Sequence, residues 1–110
     1  MREKTLEMTM LLDFYGELLT EKQRGCFELY YNDDLSLGEI AENLGITRQG
    51  VRDQLLRAEN ALRETEAKTG LLARFGKVRR AVTLAERLVA QAEGEERELA
   101  EEILTCLREV

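Results

Sequence analysis

Apolar residues recur at helical spacing in the first third of the chain, where they predict two amphipathic helices. The first helix is predicted from about Lys4 to Leu19, with an apolar stripe made of Leu6, Met10, Leu11, Phe14 and Leu18. Thr20 and Gln23 have the spacing of a capping box, so a second helix is predicted over about 21–31. Its aromatic residues are expected to pack in the core or at its edge: Phe27, Tyr30 and Tyr31.

The segment from Ser36 to Leu62 has the pattern of two helices joined by a tight turn. Ser36 and Glu39 form a second capping box, and Gly45 can adopt the left-handed conformation that ends a helix. Thr47 fits the N-cap of the next helix, whose inward stripe is Val51, Leu55, Ala58 and Leu62. This pattern is typical of a helix-turn-helix, in which the second helix can enter the major groove of DNA.

The last part of the chain predicts an antiparallel pair of helices. The preceding helix is expected to continue to about Lys68 and to stop at Thr69-Gly70. The pair then spans about 71–91 and 95–109, with a break at Gly94. Its apolar positions are Leu71, Phe75, Val78, Val82, Ala85 and Val89 in one helix and Leu99, Ile103 and Leu107 in the other. This combined stripe needs a cover: the helix-turn-helix core, a second copy of the chain, or another protein.

Composition agrees with an all-α protein. The 110 residues are 44% hydrophobic and 35% charged, and they include no proline and few aromatic residues. A chain of this length predicts one helical domain over 1–110, with a helix-turn-helix core at 20–66 and a helical extension at 71–109. Such a domain can bury enough apolar surface to fold without a metal or a disulfide.

The residue types present argue against catalysis, and the predicted protein is not an enzyme. The chain has no histidine, no phosphate-cradling glycine loop with a lysine, and only two cysteines, so neither a metal nor a cofactor is expected. Cys26 and Cys106 are expected to be small buried side chains, with a disulfide or a reactive thiol as the alternative.

Localisation follows from two expected absences. The chain begins with an amphipathic pattern instead of a signal peptide, and no apolar run approaches the ~20 residues that span a bilayer. We therefore predict a cytoplasmic protein without a membrane span.

Five polar residues of the helix-turn-helix are the predicted nucleic-acid contacts: Ser36, Thr47, Arg48, Gln49 and Arg52. Arginine can bind guanine, and glutamine adenine, through two hydrogen bonds. Ser36 and Thr47 are expected first as caps. The alternative is a solvated surface with local pairs, such as Arg48 with Asp53 or Arg52 with Glu59. The net charge of −6, and the balance of four basic and four acidic residues over 36–63, leave no strongly basic face.

A second basic cluster follows in the helical extension, at Arg74, Lys77, Arg79 and Arg80. No acidic residue interrupts it between Arg74 and Thr83. It can bind RNA or DNA phosphate or an acidic protein surface. The alternatives are a solvated face or pairing with the acidic residues of the last helix.

Several runs of residues resemble two groups of known proteins. Residues 19–62 resemble the promoter-reading region 4 of bacterial sigma factors. Leu12-Asp13-Phe14-Tyr15-Gly16, Leu19-Thr20-Glu21-Lys22-Gln23 and the run 45–53 together resemble the YlxM family of small bacterial helix-turn-helix proteins, over roughly residues 1–75. The resemblance implies an all-α, sigma-factor region-4-like helix-turn-helix bundle with a C-terminal helical hairpin. Within the run 45–53, Gly50 and Asp53 stand where sigma-like helices carry an arginine and a glutamine.

The function implied by the resemblance is that of a regulatory protein that binds duplex DNA and is linked to the signal recognition particle pathway. The alternative is an accessory module that binds the particle's GTPase or its RNA without reading DNA sequence. A third hypothesis is a structural homodimer with no nucleic-acid role.

Overall fold

The computed structural model describes residues 6–110, and every regular element in them is a helix. Six α-helices follow in order: α1 (Leu6–Tyr15), α2 (Glu21–Tyr31), α3 (Leu37–Leu44), α4 (Arg48–Thr69), α5 (Leu71–Gln91) and α6 (Gly94–Arg108). A single 3-10 turn, Gly16–Leu18, follows α1. The predicted all-α class is confirmed. No helix among these residues is long and apolar enough to cross a bilayer.

Contacts divide the chain into two compact units at Gly70, which has a φ of 62° and ends α4. The left-handed conformation is one that glycine adopts without a steric penalty, so the predicted stop is confirmed. The first unit ends at Gly70, and the second unit comprises residues 71–110. A single domain over 1–110 stays a prediction.

Four helices of the first unit enclose one core. Its largest fully buried side chains are at most 1% exposed and come from every helix: Met8, Leu11, Phe27, Ile40, Val51, Leu55 and Leu62. Phe27 stacks on Tyr31 with ring centroids 4.4 Å apart, and Tyr30 meets Tyr31 edge to face at 4.9 Å. The three aromatic residues predicted for the core are thus buried, and each fully buried apolar side chain contributes about 1.5–3 kcal/mol.

The predicted stripe of α1 was wrong in phase, although its member Leu11 is buried. Leu6 and Leu18 are 76% and 69% exposed, and Phe14 is 39% exposed. The buried set is Met8, Leu11, Leu12 and Tyr15, which completes the i, i+3, i+4, i+7 spacing of a helix face. Both sets are apolar, and contacts with α4 decide which of them is buried. The Tyr15 hydroxyl donates to Glu66 Oε1 at 2.6 Å and lies 2.6 Å from Thr69 Oγ1. The helix also ends at Tyr15, before the predicted Leu19, and the predicted start at Lys4 lies outside the described residues.

The second unit is a pair of packed helices, α5 and α6, with little buried interior. Its buried apolar side chains are Ala85, Ala92, Ala100 and Leu104. On α6 the buried residues stand one position after the predicted Leu99 and Ile103, which are 54% and 51% exposed. On α5, Leu71 and Phe75 are 47% and 39% exposed. Ala85 is buried as predicted, and four other stripe residues are half-buried: Val78, Val82, Val89 and Leu107. The predicted stripe is therefore only partly buried.

The two cysteines differ in environment, and both are free. Cys26 is fully buried beside Phe27 in the sequence of α2, as predicted. Cys106 is exposed, so its predicted burial was wrong. Helix α6 packs through Ala100 and Leu104, and a residue two positions beyond Leu104 is turned about 200° around the helix.

Candidate nucleic-acid interface

A tight turn fixes α4 relative to α3. Gly45 has a φ of 69° and a ψ of 33°, and its amide donates to the Ala41 carbonyl. The Ile46 amide donates to the same carbonyl at 3.1 Å, and the Ile46 side chain is half-buried. The left-handed Gly45 reverses the chain over three residues, so α4 begins at Arg48. The turn predicted from sequence is confirmed.

Side-chain caps hold the start of both helices. Ser36 Oγ accepts from the Glu39 amide at 3.1 Å while Glu39 Oε1 accepts from the Ser36 amide at 2.9 Å, which completes the capping box. Thr47 Oγ1 accepts from the Gly50 amide at 3.0 Å. The capping roles predicted for Ser36 and Thr47 are confirmed. Each hydroxyl keeps its own proton, which it can donate outward to an oxygen of a ligand.

Arg48 lies across the first turn of α3. A β-carbon placed on Gly38 would come within 2.8 Å of Arg48 Nη2 and 3.1 Å of Nε, so the guanidinium occupies the space above this glycine. Ser36, Gly38, Glu42 and Arg48 line one open concavity of about 520 Å³ between α3 and α4. The fold thereby brings together two of the predicted contact residues, Ser36 and Arg48. The guanidinium and the positive end of α3 both favour an anion at this place.

The N-terminal turn of α4 carries Arg48 and no acidic residue. Arg48 and Arg52 are exposed, and neither forms an ion pair with a carboxylate among residues 6–110. The alternative pairs of Arg48 with Asp53 and Arg52 with Glu59 are therefore not formed. Glu59 instead lies on the buried side of α4, at 0% exposure, while Arg52 points outward.

Gln49 is placed differently from the two arginines. Its Nε2 donates to Asp53 Oδ1 at 3.1 Å, one helical turn further along α4. This bond orients the Gln49 amide and occupies part of the Asp53 carboxylate. One N–H and the carbonyl oxygen of the amide stay open to a ligand. The sequence did not predict this pair, because it depends on the rotamers of two exposed side chains.

Two further residues belong to this surface and were missed from the sequence. Arg57 is exposed four residues after Asp53, so it continues the outer side of α4. The spacing of Gln49, Asp53 and Arg57 was the signal that could have found it. Gly38 was missed because it matters only through the Arg48 side chain that lies over it, a contact that no local sequence pattern predicts. We call Arg48, Gln49, Arg52 and Arg57 the recognition face.

The second basic cluster lies on the N-terminal half of α5. Arg74, Lys77, Arg79 and Arg80 are all exposed. The Arg79 guanidinium carbon lies 5.6 Å from the centroid of the Phe75 ring, a cation–π distance. The alternative pairing of this cluster with the acidic residues of α6 is not seen among residues 6–110. The ion pair between the two helices has the opposite sense, with Arg108 Nη2 2.9 Å from Glu86 Oε2.

The described part of the chain contains no candidate metal site. Residues 6–110 contain no group of three or more histidine, cysteine, aspartate or glutamate side chains that could hold a metal ion.

These features define a protein of the helix-turn-helix class: a left-handed turn at Gly45, caps at Ser36 and Thr47, and a long α4 with one exposed side. The family described as "Putative helix-turn-helix protein, YlxM / p13 like" matches residues 2–103, and the chain belongs to this family. Proteins named UPF0122 protein from Bacillus cereus, Bacillus anthracis and Bacillus thuringiensis are each 48% identical to it over 93 residues. Each match covers 84% of this chain and 84% of the relative. The resemblance to the YlxM family is confirmed.

Proposed function

We propose that this chain is a regulatory helix-turn-helix protein that binds duplex DNA through its recognition face. The observation that carries the proposal is the state of Arg48 and Arg52. Both project from the first turns of α4, both are exposed, and neither is engaged by a carboxylate among residues 6–110. An unneutralised guanidinium on a helix that can enter the major groove is suited to guanine or phosphate.

In this proposal the residues of the recognition face have different roles. Arg48, held over the start of α3 beside Ser36, is placed to bind a phosphate of the backbone. Arg52 stands one turn further along α4, where a groove-reading helix presents its side chains to base edges. Gln49 reads a base only through the groups that its bond to Asp53 leaves open. Arg57 extends the contact toward the backbone.

Three unpaired arginines predict a modest electrostatic contribution to binding. If each neutralises one phosphate, the logarithm of the association constant should fall with the logarithm of salt concentration with a slope of about −3. The net charge of −6 opposes non-specific association, so specific contacts must supply much of the affinity.

A second candidate function is supported by the acidic residues of the same surface. Glu42 lines the concavity beside Arg48, and Asp53 lies between Gln49 and Arg57 on the outer side of α4. A surface of mixed charge suits a protein partner better than continuous phosphate. The alternative is therefore an accessory module that binds a protein, for which the family resemblance implies the signal recognition particle's GTPase. The particle's RNA, with its continuous phosphate backbone, fits this surface less well.

One binding comparison tests both functions. The full chain is titrated by fluorescence anisotropy against mixed-sequence duplex DNA, the particle's RNA and the particle's GTPase, at equal and low salt. We expect the tightest binding to duplex DNA, and we expect Arg48→Ala with Arg52→Ala to weaken it at least tenfold and to reduce the salt slope by about 2.

The matched control is Lys77→Ala with Arg80→Ala, which removes two exposed cations from the second unit. It should leave duplex affinity within about twofold of the unsubstituted chain. Duplex binding that survives the loss of Arg48 and Arg52 would contradict the proposed interface. Binding to the GTPase or the RNA, with none to duplex DNA, would favour the second candidate.

A further inference from the structure

Helices α5 and α6 leave an apolar face exposed on the second unit. Its four central side chains are about half exposed: Leu84 at 46%, Leu88 at 50%, Leu99 at 54% and Ile103 at 51%. Ile103 and Leu107 are shared by two adjoining grooves, of about 340 Å³ between α5 and α6 and about 470 Å³ along α6. We call Leu84, Leu88, Leu99, Ile103 and Leu107 the hairpin face.

The second unit is also too small to be stabilised by its own interior. It has 40 residues, and chains of about that size usually need disulfides, metals or oligomerisation to fold. Both cysteines are free, and residues 6–110 hold no metal-binding group. Its buried apolar residues are three alanines and one leucine. Packing of the hairpin face against a further surface would supply the stabilisation that this small interior lacks.

Charge identifies the occupant. Helix α5 carries five basic residues and one acidic residue, a net charge of +4, whereas α6 carries five acidic and two basic residues, a net charge of −3. Lys77 and Arg80 precede Leu84 by seven and four residues, so they lie on the same side of α5 as the hairpin face. Glu102 lines the groove on α6. One side of the face is therefore basic and the other side acidic.

From these observations we infer that the hairpin face binds the hairpin face of a second copy of this chain, with α5 of each copy lying across α6 of the other. A two-fold pairing makes every contact twice, so a face with one basic and one acidic edge complements itself. The opposite arrangement, α5 on α5 and α6 on α6, places like charges together and is disfavoured.

The pairing has a predicted register. Ala81 and Ile103 line the same groove. Arg80 precedes Ala81 and Glu102 precedes Ile103 in the sequence, so we expect Arg80 of one copy to meet Glu102 of the other. Helix α5 is about 30 Å long and the two helices together are about 20 Å wide, which limits the face to on the order of 600 Å² per copy. Stable interfaces take roughly 800 Å² from each partner, so a face of this size predicts weak pairing that depends on concentration.

The test is the mass of the full chain in solution, measured by sedimentation velocity over a range of concentrations and without nucleic acid. It is therefore independent of the proposed DNA binding. We expect a species of twice the mass of one chain, and we expect Ile103→Glu to weaken pairing at least tenfold with an unchanged far-UV circular dichroism spectrum. Leu18→Glu, at a residue 69% exposed in the first unit, is the matched control and should pair normally.

Charge reversal tests the register. Arg80→Glu and Glu102→Arg should each weaken pairing several-fold, and the two together should restore it. The Cys106 thiol, which lines the groove, should react more slowly with a thiol reagent in the paired chain than in Ile103→Glu. A single-chain mass at every concentration, or pairing that Ile103→Glu leaves intact, would overturn the inference. A double reversal that fails to restore pairing would overturn the proposed arrangement of helices.

Discussion

The two units of this protein use the same helical hydrophobic pattern with opposite results. In the first unit, seven large side chains from four helices are at most 1% exposed. In the second unit, four large side chains of α5 and α6 stay about half exposed. Four helices can surround one core, whereas two helices have only one line of contact between them. An apolar stripe therefore predicts that a surface will be covered, but the number of neighbouring helices decides whether the same chain covers it.

The largest contrast should appear on truncating one phenylalanine in each unit. Phe27 is fully buried and stacked on Tyr31, so Phe27→Ala should lower the free energy of unfolding by about 3–5 kcal/mol. Phe75 is 39% exposed on α5, so Phe75→Ala should cost about 1 kcal/mol or less. Urea unfolding of both variants, followed by circular dichroism, measures the difference. Equal costs would mean that the two units are equally well packed.

A second contrast concerns threonine hydroxyls. Thr47 Oγ1 caps α4, so Thr47→Ala should destabilise the chain by about 1 kcal/mol. Thr105 lies in the last turn of α6 and donates to the Glu101 carbonyl at 3.0 Å, a bond that the helix does not require. Because alanine is the better helix former, Thr105→Ala should be neutral or stabilising by about 0.5 kcal/mol. Thermal unfolding of the two variants should therefore shift in opposite directions, and a shared loss would contradict the assignment of Thr47 as a cap.

These two contrasts also show what the sequence could predict. Local signals determined the caps at Thr20, Ser36 and Thr47 and the stop at Gly70, because a side chain within three residues or a single positive φ suffices. The bounds of α2 and α5 followed from the same signals. The buried side of α1 could not be predicted, because both of its sides offer apolar residues and the bonds of Tyr15 to a distant segment decide.

The candidate site also has some features that the sequence predicted and others that it could not. Helical period alone predicted that Arg48 and Arg52 would face outward while Val51 and Leu55 would be buried. Period could not predict that Arg48 lies over Gly38 or that Gln49 binds Asp53, because these are contacts between side chains or across a turn. The position of each polar group, and not only its exposure, therefore required the structure.

The smallest expected effect is a difference between the two cysteines in how the free energy of unfolding depends on pH. Burial raises the pKa of the Cys26 thiol above its ordinary value, and nearby Lys22 opposes that shift only in part. The folded chain then holds the thiol proton more tightly than the unfolded chain does. This contribution to stability is complete below the ordinary thiol pKa and is lost as the pH rises through the raised value.

Stability measured by urea unfolding across the alkaline range should therefore fall with pH in part through Cys26. Cys26→Ala should remove that part of the pH dependence, and Cys106→Ala, at the exposed cysteine of α6, should keep it. The comparison isolates the Cys26 thiol from every other ionisable group, because the two variants share all the others except Cys106. An equal pH dependence in both variants would show that burial of Cys26 has no such effect.

The central claim is that the first unit, through its recognition face, meets duplex DNA. Its most direct test is an amide chemical-shift titration of the isotope-labelled full chain with mixed-sequence duplex DNA. We predict that the largest shifts fall on residues 36–38 and 48–57 and that they decline in Arg48→Ala with Arg52→Ala. Shifts confined to residues 71–110, or none under conditions of low salt, would contradict the claim.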